Sequence, residues 1–184
     1  MTPARYTRTA MLLHWLMAVL ILGMFGLGLY MVDLPLSPQK LKFYSYHKWA
    51  GITVLTLALL RVLWRILHQP PALPASQPRW QQFAAHSAHG LLYVLIFVVP
   101  LTGWLMSSAL GFPVVWFGVL PLPDLIDKDK ELGELLKLVH RYLNYTFLVL
   151  VVGHALAAIK HHWLDRDGTL NRMLPAPTPE ENRS

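Results

Sequence analysis

The chain has no cysteine among its 184 residues. That excludes disulfides, iron–sulfur clusters, thiolate zinc sites and the C-x-x-C-H attachment of covalent haem, so any metal must be held by other side chains. Charge is scarce too: 14% of residues are Asp, Glu, Lys or Arg, against about 25% in an ordinary soluble domain. The scarcity is local. No charged residue occurs from Ala10 to Val32, and none from Trp80 to Pro123, and uncharged apolar runs of that length suit a bilayer. The formal net charge of +6 comes without a basic run or a recognisable nucleic-acid module. It is therefore assigned to contact with a membrane surface, and no nucleic-acid partner is expected.

Apolar residues make up 54% of the chain. They fall into four segments, at about 10–32, 46–67, 84–110 and 137–163, which predicts an all-α integral membrane protein built as a four-helix transmembrane bundle. The first segment has 23 residues, more than the roughly 7–15 of a signal-peptide core, and no small-residue cleavage pattern follows it. It is read as a retained span. The proline-rich stretch from Gln69 to Pro78 cannot continue a helix and is read as a loop. Pro100 and Gly103 are expected to kink the third span. The connection at about 111–136 should lie in water, with its mixed-charge run from Asp124 to Lys137 as a short surface helix. Residues 1–175 are expected to form a single membrane domain, followed by a disordered tail at 176–184.

An even number of spans places both termini on one side. Nine Lys and Arg residues fall on that side and seven on the other, which favours cytoplasmic termini.

The nine histidines carry most of the information. His14 opens span one on the inner side and His47 opens span two on the outer side, while span four carries His140 at its outer end and His154 toward its inner end. A separation of 14 residues is about 21 Å of helical rise and about 40° short of four full turns, so His140 and His154 share one face. The same interval leads from His47 to Arg61, from His14 to Gly28 and from His89 to Gly103. Glycine lets the backbone approach a bulky planar cofactor, and Gly51 and Gly153 fit that reading as well. Topology pairs His14 with His154 at an inner level and His47 with His140 at an outer level. Two imidazoles from different helices at each of two depths meet the requirement for two non-covalent b-type haems with iron held by bis-histidine ligation.

Other readings stand beside this one. A single intramembrane histidine can simply bridge helices by a hydrogen bond. Zinc would call for an H-E-x-x-H motif or a carboxylate within the spans, and neither is present. Arg61 and Arg65 either snorkel to the cytoplasmic surface or pair with inner-haem propionates. His86 and His89 are read as lying near a propionate or at the membrane interface, with replacement of an inner ligand as the alternative. His161 and His162, beside Lys160, are read as an interfacial basic cluster. Lys40, Lys42 and Lys48 are either solvated loop charges and lipid contacts or a patch that steers a small anion toward the outer level.

Several motifs together resemble one family: Tyr6 with His14-Trp15, His47-Lys48 with Gly51, Arg61-Val62 with Trp64-Arg65, and His86 and His89 with Tyr93. They continue through Trp116-Phe117-Gly118, His140, and His154-Ala155 followed by Lys160-His161-His162, Asp167, Thr169-Leu170 and Arg172-Met173. The chain resembles the bacterial di-haem cytochrome b561 proteins over nearly its whole length. The resemblance implies that His14, His47, His140 and His154 are axial ligands. It also implies an inner-membrane protein that exchanges electrons with quinone, and one branch of the family oxidises superoxide and reduces ubiquinone. Three functions are therefore carried forward: a superoxide:ubiquinone oxidoreductase, a haem-bearing electron-transfer partner of another redox protein, and a haem-free membrane scaffold.

Overall fold

The structure is a computed structural model that describes residues 5–72 and 77–175. The tail expected at 176–184 lies outside the described residues. Four long helices are built from the four apolar segments: α1 (Arg8–Asp33), α2 (Pro38–Leu67), α3 (Arg79–Ala109) and α4 (Lys130–Lys160). Each is long and apolar enough to cross a membrane, and the architecture is an all-α four-helix transmembrane bundle.

Helix ends follow caps rather than the change from apolar to polar sequence. Thr7, Ser37 and Asp129 accept hydrogen bonds from the backbone N–H groups of Ala10, Lys40 and Leu132, satisfying first-turn donors that have no partner within the helix. Pro38 occupies the first turn of α2, where its missing N–H costs nothing. As a result α2 begins at Pro38 rather than near 46, and α4 begins at Lys130 rather than near 137. The end of the mixed-charge connection is thus the first turns of α4 and not a separate surface helix. Ahead of it stands a small antiparallel hairpin, β1 (Val115–Trp116) with β2 (Leu120–Pro121). Its turn places Phe117 and Gly118 at positive φ, 51° and 73°, a conformation that glycine adopts without cost.

Helix α3 packs mainly on α4, and α1 on α2. Where the four helices meet, Met17, Ile21, Val54, Ala58, Leu95, Val99 and Phe147 form one buried cluster. Leu12, Val19, Leu22, Leu63, Val94, Val149 and Leu156 point outward and are exposed. On a water-soluble protein such a belt would be an aggregation hazard; on these helices it is the lipid-facing surface.

At one end of the bundle, α4 runs into a π-helical turn (His161–Asp165), and the chain folds back through a 3-10 turn (Leu170–Met173). There the Tyr6 N–H donates to the Arg172 carbonyl at 3.1 Å, the Trp15 indole N–H donates to the Met173 carbonyl at 2.8 Å, and the Gln77 amide donates to Asp167 at 2.8 Å. The start of the chain, the α2–α3 loop and the segment after α4 are held together at this end. His161 lies in this clasp, with its Nδ1 at 3.0 Å from Asp165 and 2.8 Å from Asp167, while Lys160 pairs with Asp165. Within the interfacial basic cluster read at Lys160, His161 and His162, Lys160 is thus ion-paired and His161 lies against two carboxylates.

Candidate functional site

Two facing pairs of imidazoles sit inside the bundle, one at each end of the buried apolar cluster. At the end near the clasp, His14 of α1 meets His154 of α4 with ring centroids 6.1 Å apart and planes at 74°. At the opposite end, His47 of α2 meets His140 of α4 at 6.5 Å and 86°; these are the inner and outer pairs, respectively, of the orientation expected from the sequence. A metal bonded at about 2 Å to each of two facing imidazole nitrogens holds their ring centroids roughly 6 Å apart. Both pairs thus have the spacing for a single iron between them. Among the described residues neither pair has a carboxylate partner, and paired imidazole nitrogens are a donor set that suits haem iron.

Glycine backs one ring of the outer pair closely. A Cβ added at Gly103 would lie 3.1 Å from His140 Cε1, and one added at Gly28 would lie 3.4 Å from His47 Cε1. At Gly103 a side chain would push the imidazole out of place; at Gly28 it would only touch. Gly51 faces the Met24 methyl instead, and a Cβ at Gly153 would meet nothing within 4 Å, so only Gly28 and Gly103 touch the histidines. Among the described residues the buried Nδ1 atom of His47 has no hydrogen-bond partner. Nδ1 of His140, in contrast, is 3.1 Å from the Val99 carbonyl and 3.1 Å from Thr102 Oγ1.

The inner level has more members. His89 of α3 comes within 5.4 Å of His154, while His86 is exposed and bonds the Gln82 carbonyl within its own helix. The pair that sequence spacing places together is split, and only His89 belongs to the inner level. Arg61 is half-buried: its Nε donates to Tyr93 Oη at 3.2 Å and its Nη1 to the Ala10 carbonyl at 3.4 Å. Arg65 is exposed, its guanidinium carbon 5.4 Å from the centre of the Tyr93 ring, in a groove shared with Val62, Ile66 and Pro70. The Arg61 guanidinium carbon lies 6.0 Å from the centre of the same ring, so the two arginines flank Tyr93 and differ in exposure, Arg61 half-buried and Arg65 exposed.

At the outer level, two of the three lysines are engaged. Lys40 Nζ donates to the carbonyls of Val32 at 3.0 Å and Leu34 at 2.5 Å, capping the end of α1. Lys48 Nζ reaches Ser107 Oγ and the carbonyls of Phe112 and Pro113 at 3.1–3.2 Å, tying the segment after α3 to α2 beside His47. Both lysines lie in α2, not in the loop before it. Thr102 contacts His140 and Tyr93 contacts Arg61; Tyr93 belongs to the motif with His86 and His89, while Thr102 carries no sequence signal because its partner is on another helix.

Related proteins place this arrangement. The sequence profile of prokaryotic cytochrome b561 matches residues 5–176. Cytochrome b561 homolog 2 of Escherichia coli K12 is 37% identical over 175 residues, covering 94% of this chain and 93% of its own. The probable superoxide oxidase CybB of Yersinia pestis is 30% identical over 175 residues, covering 89% of this chain and 98% of its own. A bundle of four apolar helices with internal histidine pairs, matched from end to end by these sequences, belongs to the prokaryotic cytochrome b561 family, multi-pass membrane proteins that hold b-type haem and transfer electrons.

Proposed function

We propose that this chain is a di-haem electron-transfer protein of the bacterial inner membrane that moves electrons between its outer face and the quinone pool, with superoxide as donor and ubiquinone as acceptor. In this reading His14 and His154 hold the inner b-type haem and His47 and His140 hold the outer one, both non-covalently. Residues 1–175 form one membrane domain with both termini in the cytoplasm. The carrying observation is the pair of facing imidazoles at each of two depths, 6.1 and 6.5 Å apart. The relative named as a probable superoxide oxidase supports the choice of substrate.

The bound haems would supply reversible one-electron chemistry at two depths of the membrane. Each pair of imidazoles would hold the iron from two residues and leave it no free position, so the histidines would favour outer-sphere transfer over oxygen binding. Two superoxide ions each lose one electron and leave as dioxygen; the two electrons, with two protons, convert one quinone to quinol. Arg61, half-buried at the inner level, is positioned to offset a propionate charge, and its planar fork suits that role. Arg65, exposed beside Tyr93, is assigned to the inner propionates more weakly, since water screens an exposed guanidinium.

A second reading, an electron-carrying membrane partner for another redox protein, is favoured by the acidic residues Asp124, Asp127 and Asp129 of the outer connection with Glu131 and Glu134 in the first turns of α4, which would attract a basic protein. Purified protein in lipid with ubiquinone and a superoxide source separates the two. Quinol formation without any other protein supports the enzyme. No quinol formation, with haems that do become reduced when a protein donor is added, supports the partner.

A further inference from the structure

The two imidazoles of the outer pair are held differently. His140 Nδ1 faces two oxygens at 3.1 Å, the Val99 carbonyl and Thr102 Oγ1. The Thr102 hydroxyl donates its own hydrogen to the same Val99 carbonyl at 2.7 Å, so toward the ring its oxygen acts as acceptor. Two acceptors on one ring nitrogen place the proton on Nδ1 and leave the lone pair on Nε2, the tautomer a metal needs. His47 offers the contrast, because among the described residues its buried Nδ1 has no partner.

Threonine in a helix commonly bonds back to its own helix. Thr53, Thr56 and Thr146 do so, to Trp49, Ile52 and Tyr142. Thr53 also accepts from the Trp116 indole N–H at 3.2 Å, whereas Thr102 differs in being buried, 9% exposed, and in making its second contact to a histidine ring on another helix. Gly103 follows it directly and lets α3 approach His140 Cε1 so closely that a Cβ would sit 3.1 Å away. Thr102 and Gly103 thus grip a single imidazole, one through a hydroxyl and one by giving way.

We infer that Thr102 is a positioning residue for the outer redox centre: with the Val99 carbonyl it fixes the Nδ1–H tautomer and the ring orientation of His140. By accepting that hydrogen it makes His140 the more electron-rich of the two outer imidazoles. A more basic axial ligand stabilises the oxidised metal, so Thr102 holds the outer haem at a lower potential than the bare histidine pair would set. This rests on the reading of His140 as an axial ligand.

The test uses full-length, haem-loaded protein as wild type, Thr102→Val and Thr102→Ser, read by redox titration and by electron paramagnetic resonance of the ferric haems. The valine variant should raise the midpoint of the outer haem and shift its ferric signal, with the inner haem unchanged, and the serine variant should match wild type. A valine variant identical to wild type in both readouts overturns the inference, as does a serine variant shifted as far as valine. Should the valine variant fail to take up the outer haem, nitrogen-15 spectra of histidine-labelled wild type and Thr102→Ser decide. A His140 ring protonated at Nδ1 in both supports the inference, and one protonated at Nε2 overturns it. His140→Ala with both bis-imidazole spectra retained would instead remove His140 as a ligand, a failure distinguishable from that of Thr102.

Discussion

The rings of Phe25 and Phe147 meet with centroids 6.0 Å apart, and Phe147 stands seven residues from His140 and seven from His154 on the same helix. Seven residues are close to two full turns, so the ring lies on the histidine face, midway between the levels. It is 4% exposed and belongs to the buried cluster that separates the two pairs. Replacing it with alanine is expected to cost about 3–5 kcal/mol through lost packing and a cavity, while leaving both histidine pairs in place. Loss of haem absorbance on heating should begin at lower temperature in Phe147→Ala, with the starting spectrum unchanged; an altered starting spectrum would mean that the ring shapes a haem site.

The pairing itself predicts which losses go together. His140→Ala and His47→Ala should remove one and the same haem, and His14→Ala and His154→Ala the other. Redox-resolved spectra of the four variants check this. His89 makes the inner level the sharper case, because its ring is nearer to His154 than that of His14. If His89→Ala removed the inner haem and His14→Ala did not, His89 would be the ligand.

Arg61→Gln should lower the midpoint of the inner haem, since removing a nearby positive charge favours the oxidised form. The outer haem should be unaffected, and Arg65→Gln should shift the inner one less, because that guanidinium is exposed and screened. Redox titration of both variants measures the difference. Equal shifts would indicate that Arg65 is as close to the haem as Arg61.

Much of this arrangement is legible in the sequence, and for identifiable reasons. The bundle shows because apolar runs without charge have one physical use, and the facing of His140 and His154 follows from helix periodicity. Helix ends are less legible: Ser37 and Asp129 extend α2 and α4 into charged sequence that reads as loop. Contacts between distant segments leave no local mark. Thr102 meets His140 across 38 residues, and Gln77 meets Asp167 across 90. Lys40 and Lys48 look like free loop charges until the carbonyls they cap are in place.

The clasp below the inner level should depend on pH. Burial alone would raise the Asp167 carboxyl, but hydrogen bonds from Thr169 and Gln77, with His161 close by, lower it from 3.8 to about 2. A carboxyl with a depressed folded-state value contributes stability that is complete above its unfolded value and is lost as pH falls through the folded one. The contribution of Asp167 should therefore hold above about pH 4 and disappear between about pH 4 and pH 2. Asp167→Asn should be less stable than wild type at pH 7, with the gap closing toward pH 2. Thermal denaturation across that range measures it, and a constant gap would place the stabilising contact elsewhere.

Lys42, in the first turns of α2, lacks the carbonyl partners that hold Lys40 and Lys48 and is exposed. If superoxide is drawn to the outer level by charge, Lys42→Gln should slow haem reduction by superoxide and flatten its dependence on ionic strength, with both haems retained. Stopped-flow reduction across a salt series checks this. Identical salt curves would favour a protein donor docking on the acidic connection.

The most direct measurement is haem stoichiometry with a reduced-minus-oxidised spectrum of the purified, fully loaded chain. Two low-spin b-type haems per chain are predicted, one for each facing pair of imidazoles. One haem, or none, would contradict the two-level arrangement.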